Sequence, residues 1–208
     1  MSKFERFSEE KRPPGSKIYQ NRMNQKREII RNTFKILYEK GFDKTTLEAI
    51  ASEMGMPRAA LYRYFTSKNE LLFHCHKVIF EAWMEKLEQP KTIRDPKTRL
   101  AAMLEAHILL FIEDFPFSIP TLIPVDIYPP EYKEKIIGYR KQINEPYIQC
   151  LKEWRGERPD ELKDIDDRVI LNTMFSATNA VPQWWNGKSD PKMLVKQVVS
   201  ILIDGIRK

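Results

Sequence analysis

The sequence predicts an all-α protein of about nine helices, and three observations carry that expectation. Apolar residues recur three and four positions apart along much of the chain, the period of a helix with one buried face. Helix-capping pairs, glycines and prolines fall at the ends of these periodic stretches, where helices start and stop. Beyond Pro90 no stretch alternates apolar and polar residues as a strand ladder would.

The elements follow in order. Residues 1–21 are polar, contain Pro13, Pro14 and Gly15, and are expected as a flexible basic arm. From Arg22 a helix begins, with Ile30, Phe34, Leu37 and Tyr38 on one stripe and Gly41 as its C-cap. Thr45 is expected to cap a second helix, with Glu48 completing a capping box and Leu47, Ile50, Ala51 and Met54 facing inward. Gly55 allows a sharp turn, and Pro57 suits the first position of a third, short helix ending near Tyr64. Ser67 with Glu70 opens a long helix to about Gln89, where Pro90 stops it. A further helix is expected over residues 96–114. Residues 115–130 are broken by five prolines and hold at most a short helix. Helices over 131–155, kinked at Pro146, and over 160–185 and 191–207 complete the chain. The division expected is an arm over 1–21, a three-helix head over 22–66 and a helical body over 67–208.

The net charge of +6 is not spread evenly. Residues 1–68 hold 15 Lys and Arg against 8 Asp and Glu, a net of +7, so the remainder carries −1. A positive excess confined to one third of the chain favours a polyanionic partner for that third. No apolar run approaches the roughly 18 residues that a membrane helix needs. The N-terminus has no apolar signal core, so a cytoplasmic protein without a membrane partner is expected. Cys75 and Cys150 are too few for a disulfide framework. His74 and His76, two apart on a helix, point away from each other and cannot share a metal ion; no cofactor is expected. Glu113 and Asp114 read as a helix-end surface pair, and Cys150 has no base beside it. No Gly-x-Ser-x-Gly, phosphate loop, HExxH or paired-cysteine spacing occurs, so the chain is expected not to be an enzyme.

Two short helices joined by a glycine turn make a helix-turn-helix, with a second helix held rigid at the surface for a major groove. Leu61 and Phe65 face inward and anchor it. Arg58 and Arg63 have the reach and the forked donors to read guanine edges, while Tyr62 and Tyr64 suit phosphates or thymine methyls. Ala59 and Ala60 let the backbone come close to bases. Thr45 and Thr46, at the start of their helix, and Lys68, at the start of the next, are candidates for phosphate contact.

The stretch TTLEAIASEMGMPRAALYRYFTSKNEL resembles the signature of TetR-type bacterial transcriptional regulators. Thr45, Thr46, Ile50, Ala51, Gly55, Leu61, Tyr62, Tyr64, Phe65, Ser67, Lys68, Glu70 and Leu71 fall where that pattern places them. The resemblance implies a TetR-like fold, phosphate contacts from Thr46, Tyr62 and Lys68, and base contacts from Arg58, Ala59, Arg63 and Tyr64. It implies a homodimer on palindromic double-stranded operator DNA, mostly acting as a repressor, with a body that binds a small effector. The arm has two readings, insertion into a minor groove or a solubilising tail.

In the body, Trp83, Phe111, Phe115, Tyr147 and Phe175 are candidates for an effector cavity. The segment NAVPQWWNGKSDP resembles a tryptophan-rich turn of family members that answer acyl-CoA thioesters. A small hydrophobic effector is therefore expected, with an acyl-CoA thioester favoured. A lipophilic cation paired with Glu105 or Glu113 is the alternative, as is a DNA-binding adaptor that presents Trp154, Trp184 and Trp185 to a protein. For the dimer interface the expectation is Ala177 on the penultimate helix and Val195, Val198, Val199 and Leu202 on the last, an apolar stripe able to pair across a two-fold axis.

Overall fold

The structure, a computed structural model, describes residues 17–116 and 125–208. The expectations for residues 1–16, and for Phe117 and the core of the proline-broken segment, lie outside the described residues. Eight α-helices make up the described chain: α1 (Lys17–Lys44), α2 (Leu47–Glu53), α3 (Arg58–Tyr62), α4 (Lys68–Leu87), α5 (Pro96–Leu109), α6 (Pro130–Glu157), α7 (Asp167–Trp184) and α8 (Pro191–Gly205). Among the described residues the only extended pairing is an isolated bridge between Leu162 and Arg207. The all-α expectation holds.

Several boundaries move, each for a local reason. α1 begins at Lys17, inside the stretch expected as arm, and Tyr19 and Met23 are already buried. Gly41 breaks α1 near its end with a φ of 77°, a conformation glycine adopts without a Cβ penalty. On α1 the buried face also includes Ile29, Thr33 and Ile36, whereas Tyr38 lies outside it. α6 runs through Pro146 as one helix, with no break recorded there. α7 starts at Asp167, later than expected, because the Asp166 carboxylate caps it by accepting from the Arg168 and Val169 N–H groups. After α5 the chain passes directly into a π-helical turn, Leu110–Asp114. Such turns are rare and cluster at functional sites.

The chain divides into two compact units, Met1–Glu81 with Pro120–Ile136 and Ala82–Ile119 with Ile137–Lys208. This contact division falls inside α4, not at the expected step between residues 66 and 67. The first unit is built on the apolar face of α1, which with Leu47, Ile50, Leu61, Phe65 and Leu71 forms its core. There Phe73 stacks on Tyr132 at 4.7 Å between ring centroids. In the second unit α5 packs on α7 and α8, burying Leu100, Leu104, Ile108, Leu194, Val195, Val199 and Ile203. Asp95 caps α5 by accepting from the Thr98 N–H and hydroxyl. Those two bonds, together with an Arg158 guanidinium, hold its pKa down to about 2.

Candidate nucleic-acid interface and effector region

α2 and α3 form the expected pair of short helices joined at Gly55, which has a φ of 60°. Leu61 and Phe65 are fully buried, so the second helix is pinned from beneath. Arg58, Ala59 and Arg63 are exposed, and Tyr62 and Tyr64 are half-buried. That leaves the outward face of α3 with two guanidiniums, one methyl and two phenols.

The cap of α2 differs from the expectation. Thr46, not Thr45, is the N-cap, and its hydroxyl accepts from the Ala49 N–H at 3.1 Å. Thr45 is fully buried, and its hydroxyl donates to the Gly41 carbonyl at 2.8 Å. Its side chain is therefore spent inside the fold and is not presented to a phosphate. Two adjacent threonines cannot be told apart by a capping pattern alone, and the turn after Gly41 decides between them. Thr46 remains exposed.

Three further residues shape this surface. Arg22 of α1 donates to the Arg63 carbonyl at 3.1 Å and lies 5.3 Å from the Tyr64 ring centroid, so Tyr64 is covered from one side. The Lys68 ammonium donates to the Phe42 carbonyl at 2.7 Å and sits 3.8 Å from the Phe42 ring centroid. Loss of hydration lowers its pKa below the usual lysine range. Glu48, read from the sequence as half of a capping box, instead pairs with Arg58 at 2.7 Å and accepts from the Tyr62 hydroxyl at 3.3 Å. The cap had absorbed Glu48, so nothing else in the sequence pointed to this role.

In the second unit, four of the five aromatic residues expected around an effector come together. Trp83 meets Phe111 edge-on at 5.5 Å and Phe175 at 5.5 Å. Tyr147 meets Phe175 edge-on at 4.9 Å. Trp83 Nε1 donates to the Tyr147 hydroxyl at 3.2 Å, which donates in turn to the Met103 carbonyl at 3.1 Å. Phe115 is buried at the end of the π-helical turn. The group at the centre is His107, which falls within the helix expected over residues 96–114 and which no motif in the sequence singles out. Its ring lies 4.1 Å from Trp83, 5.3 Å from Phe111 and 4.9 Å from Phe175. His107 is fully buried, and Nε2 lies 2.9 Å from Asn179 Oδ1. A carboxamide oxygen only accepts, so the ring proton sits on Nε2. Burial pushes the His107 pKa down to about 3, partly offset by Asn179, and the imidazole is neutral at neutral pH. Neither expected counter-charge is buried here: Glu105 is half-buried and Glu113 exposed.

The interface residues expected on the last two helices divide. Val195 and Val199 are buried within their own chain and so are core, not interface. α8 is apolar on two adjacent faces, and its sequence does not say which one α5 takes. Val198, Leu202 and Ala177 are half-buried. Ile201 is 72% exposed, Met193 59%, Trp184 55% and Val169 54%. Trp154 is fully buried, its indole N–H donating to Glu161 at 2.9 Å, so it cannot serve a docking surface. Among the described residues no group of three His, Cys, Asp or Glu side chains could hold a metal ion. None of their helices is long and apolar enough to cross a membrane.

Two family models match. Residues 29–75 fit the bacterial regulatory proteins of the tetR family, and residues 94–206 fit the tetracyclin repressor-like C-terminal domain. The fatty acid metabolism regulator protein of Bacillus subtilis is 25% identical over 198 residues, spanning 88% of this chain and 98% of that protein. Among solved structures, the TetR family regulator PfmR of Thermus thermophilus is 23% identical with a TM-score of 0.74, covering 87% of this chain and 96% of that one. AibR, solved with isovaleryl coenzyme A and operator DNA, is 18% identical with a TM-score of 0.74, covering 86% and 98%.

Proposed function

This chain belongs to the TetR family of bacterial regulatory proteins, a family of DNA-binding transcriptional regulators, and from that premise we propose that it is a repressor released from a palindromic operator by a small hydrophobic effector. The observation that carries the DNA half is α3 itself. Leu61 and Phe65 are buried beneath it while Arg58, Ala59 and Arg63 stay exposed, the arrangement a major-groove reader requires. Residues 22–66 act as the DNA-binding head and 67–208 as the effector-binding and dimerisation body. Thr46, Tyr62 and Lys68 contact phosphates, and Arg58, Ala59, Arg63 and Tyr64 reach bases.

A homodimer supplies the second half-site. The outward faces of α7 and α8 carry Val169, Trp184, Met193 and Ile201 exposed, flanked by half-buried Ala177, Val198 and Leu202. Small Ser176, Ala177 and Ala180 permit close approach of a second copy about a two-fold axis. The protein acts in the cytoplasm, where its DNA is.

An acyl-CoA thioester is the effector we favour. The aromatic cluster around Trp83 suits an acyl chain, and its polar groups, buried His107 and Tyr147 and half-buried Asn179, are neutral and suit a carbonyl. The printed name of the Bacillus relative, and the coenzyme A thioester found with AibR, point the same way. A lipophilic cation is disfavoured, since Glu105 and Glu113 lie outside the buried cluster.

Selection of bound sequences from random DNA, followed by titration of long-chain acyl-CoA and a hydrophobic cation into the complex, tests the reading. A selected palindrome released by the thioester is expected. Failure to select any sequence overturns the DNA half, and a monomer at micromolar concentration that still binds tightly overturns the dimer. Release by the cation alone overturns the thioester.

A further inference from the structure

The base-reading face of α3 is not free of negative charge. Glu48, in the first turn of α2, reaches across to the next helix and engages two of its residues at once. Glu48 Oε1 lies 2.7 Å from Arg58 Nη2 and accepts from the Tyr62 hydroxyl at 3.3 Å. Arg58 donates to that same hydroxyl at 3.2 Å, with its guanidinium 5.2 Å from the Tyr62 ring centroid.

The position of Glu48 in the first turn of α2 suits the helix dipole, but folding stability does not explain its pairing with Arg58. The Glu48 and Arg58 side chains are 47% and 65% exposed, and an ion pair in that setting contributes little to folding. Nor is the pair neutral toward the ligand, because a carboxylate among phosphate-facing donors repels DNA of any sequence. What it does provide is orientation. Both Nη2 hydrogens are taken, one by Glu48 and one by the Tyr62 hydroxyl, which leaves Arg58 its Nη1 and Nε donors for a single hydrogen bond to guanine N7 or O6. A guanidinium that swings away to clamp a phosphate with both arms, as non-specific binding favours, gives up Nη2 and leaves Glu48 unpaired beside the DNA backbone.

We propose that Glu48 is a specificity-determining residue of this regulator. It holds Arg58, together with Tyr62, in the posture that reads a guanine, and it penalises binding to sequences that offer Arg58 only phosphates. The inference rests on the assignment of α3 as the DNA reader.

The test is Glu48→Gln, which keeps an oxygen for Arg58 and Tyr62 but removes the charge. Binding to the selected operator and to a scrambled duplex of equal length is measured across a salt series. The variant should bind the scrambled duplex roughly fivefold more tightly, with a salt slope steeper by about one unit, while operator affinity changes much less. The operator-to-scrambled ratio therefore falls. In an Arg58→Ala background the same change should leave that ratio unaltered, there being no guanidinium to hold. An unchanged ratio in the single variant, or a change that persists without Arg58, overturns the inference. Wild-type protein that does not discriminate operator from scrambled DNA overturns the DNA reading as well, so the two failures are distinct.

Discussion

Polar side chains are handled in opposite ways by the recognition segment and by the helical body. On α2 and α3, Thr46, Glu48, Arg58 and Tyr62 lie at or near the surface and bond to near neighbours. Thr46 meets Ala49 three residues on, Arg58 meets Tyr62 four residues on, and Tyr62 meets Glu48 fourteen residues back. In the aromatic cluster of the body they are buried or half-buried and bond across long stretches of chain. Tyr147 and Met103 are 44 residues apart, Trp83 and Tyr147 are 64, and His107 and Asn179 are 72. An exposed group can trade its partner for water at little cost, whereas a buried group that loses its partner carries the whole desolvation penalty. The head is built to exchange partners. The body is built to keep them.

The largest expected effect tests the second half of that contrast. Trp83→Ala removes a nearly buried indole that three rings and the Tyr147 hydroxyl pack around. It should cost about 3–5 kcal/mol in denaturant unfolding, the range for a large aromatic lost from a tight core. A loss below about 1 kcal/mol would mean that the cluster is already hollow around the indole, a cavity and not a core.

A pH series sharpens the same point. His107 has a folded pKa of about 3 against an ordinary 6.5. Below pH 6.5 the unfolded chain takes up a proton that the folded chain refuses, so this contribution to stability is present above 6.5. It is lost as pH falls toward 3, at about 1.4 kcal/mol per pH unit. Asp95, also held low, adds to acid sensitivity only beneath its ordinary 3.8. Between pH 6.5 and 4.5, then, a His107→Gln variant should lose stability less steeply than the wild type. Parallel curves would show that the imidazole is solvated after all.

In the head the expected effect is on affinity, not on folding. Arg63→Ala should relax base preference at one operator position and weaken specific binding roughly 5- to 150-fold. Its guanidinium is exposed and its carbonyl is what Arg22 holds, so the melting temperature should scarcely move. A large drop in melting temperature would break the contrast, because Arg63 would then be part of the framework.

This contrast also explains what was legible in the sequence. The helix-turn-helix could be read because its parts lie within about two turns of one another and each follows a local rule, as Gly55, Leu61 and Phe65 show. Thr45 was misplaced by one residue because its partner, the Gly41 carbonyl, is chosen by a kink that no pattern encodes. The aromatic members of the body cluster were named one by one, but His107 at their centre was not. Its partner Asn179 lies on another helix, and helical periodicity does not say which faces meet. The same blindness put Val195 and Val199 at an interface when α5 covers them.

The smallest expected effect decides whether the exchange rule holds at the edge of the head. Lys68 is half-buried, and one of its three ammonium donors is committed to the Phe42 carbonyl at 2.7 Å. Two donors remain for a phosphate. If they are used, Lys68→Ala weakens binding to operator and scrambled DNA alike, and the salt slope becomes shallower by about one unit. If the ammonium serves only to tie the start of α4 to the end of α1, the variant lowers the melting temperature and leaves the slope where it was. The depressed pKa shows that Lys68 has already given up part of its hydration, so a phosphate gains a charge with less water left to strip. A shallower slope at an unchanged melting temperature is therefore the expected result.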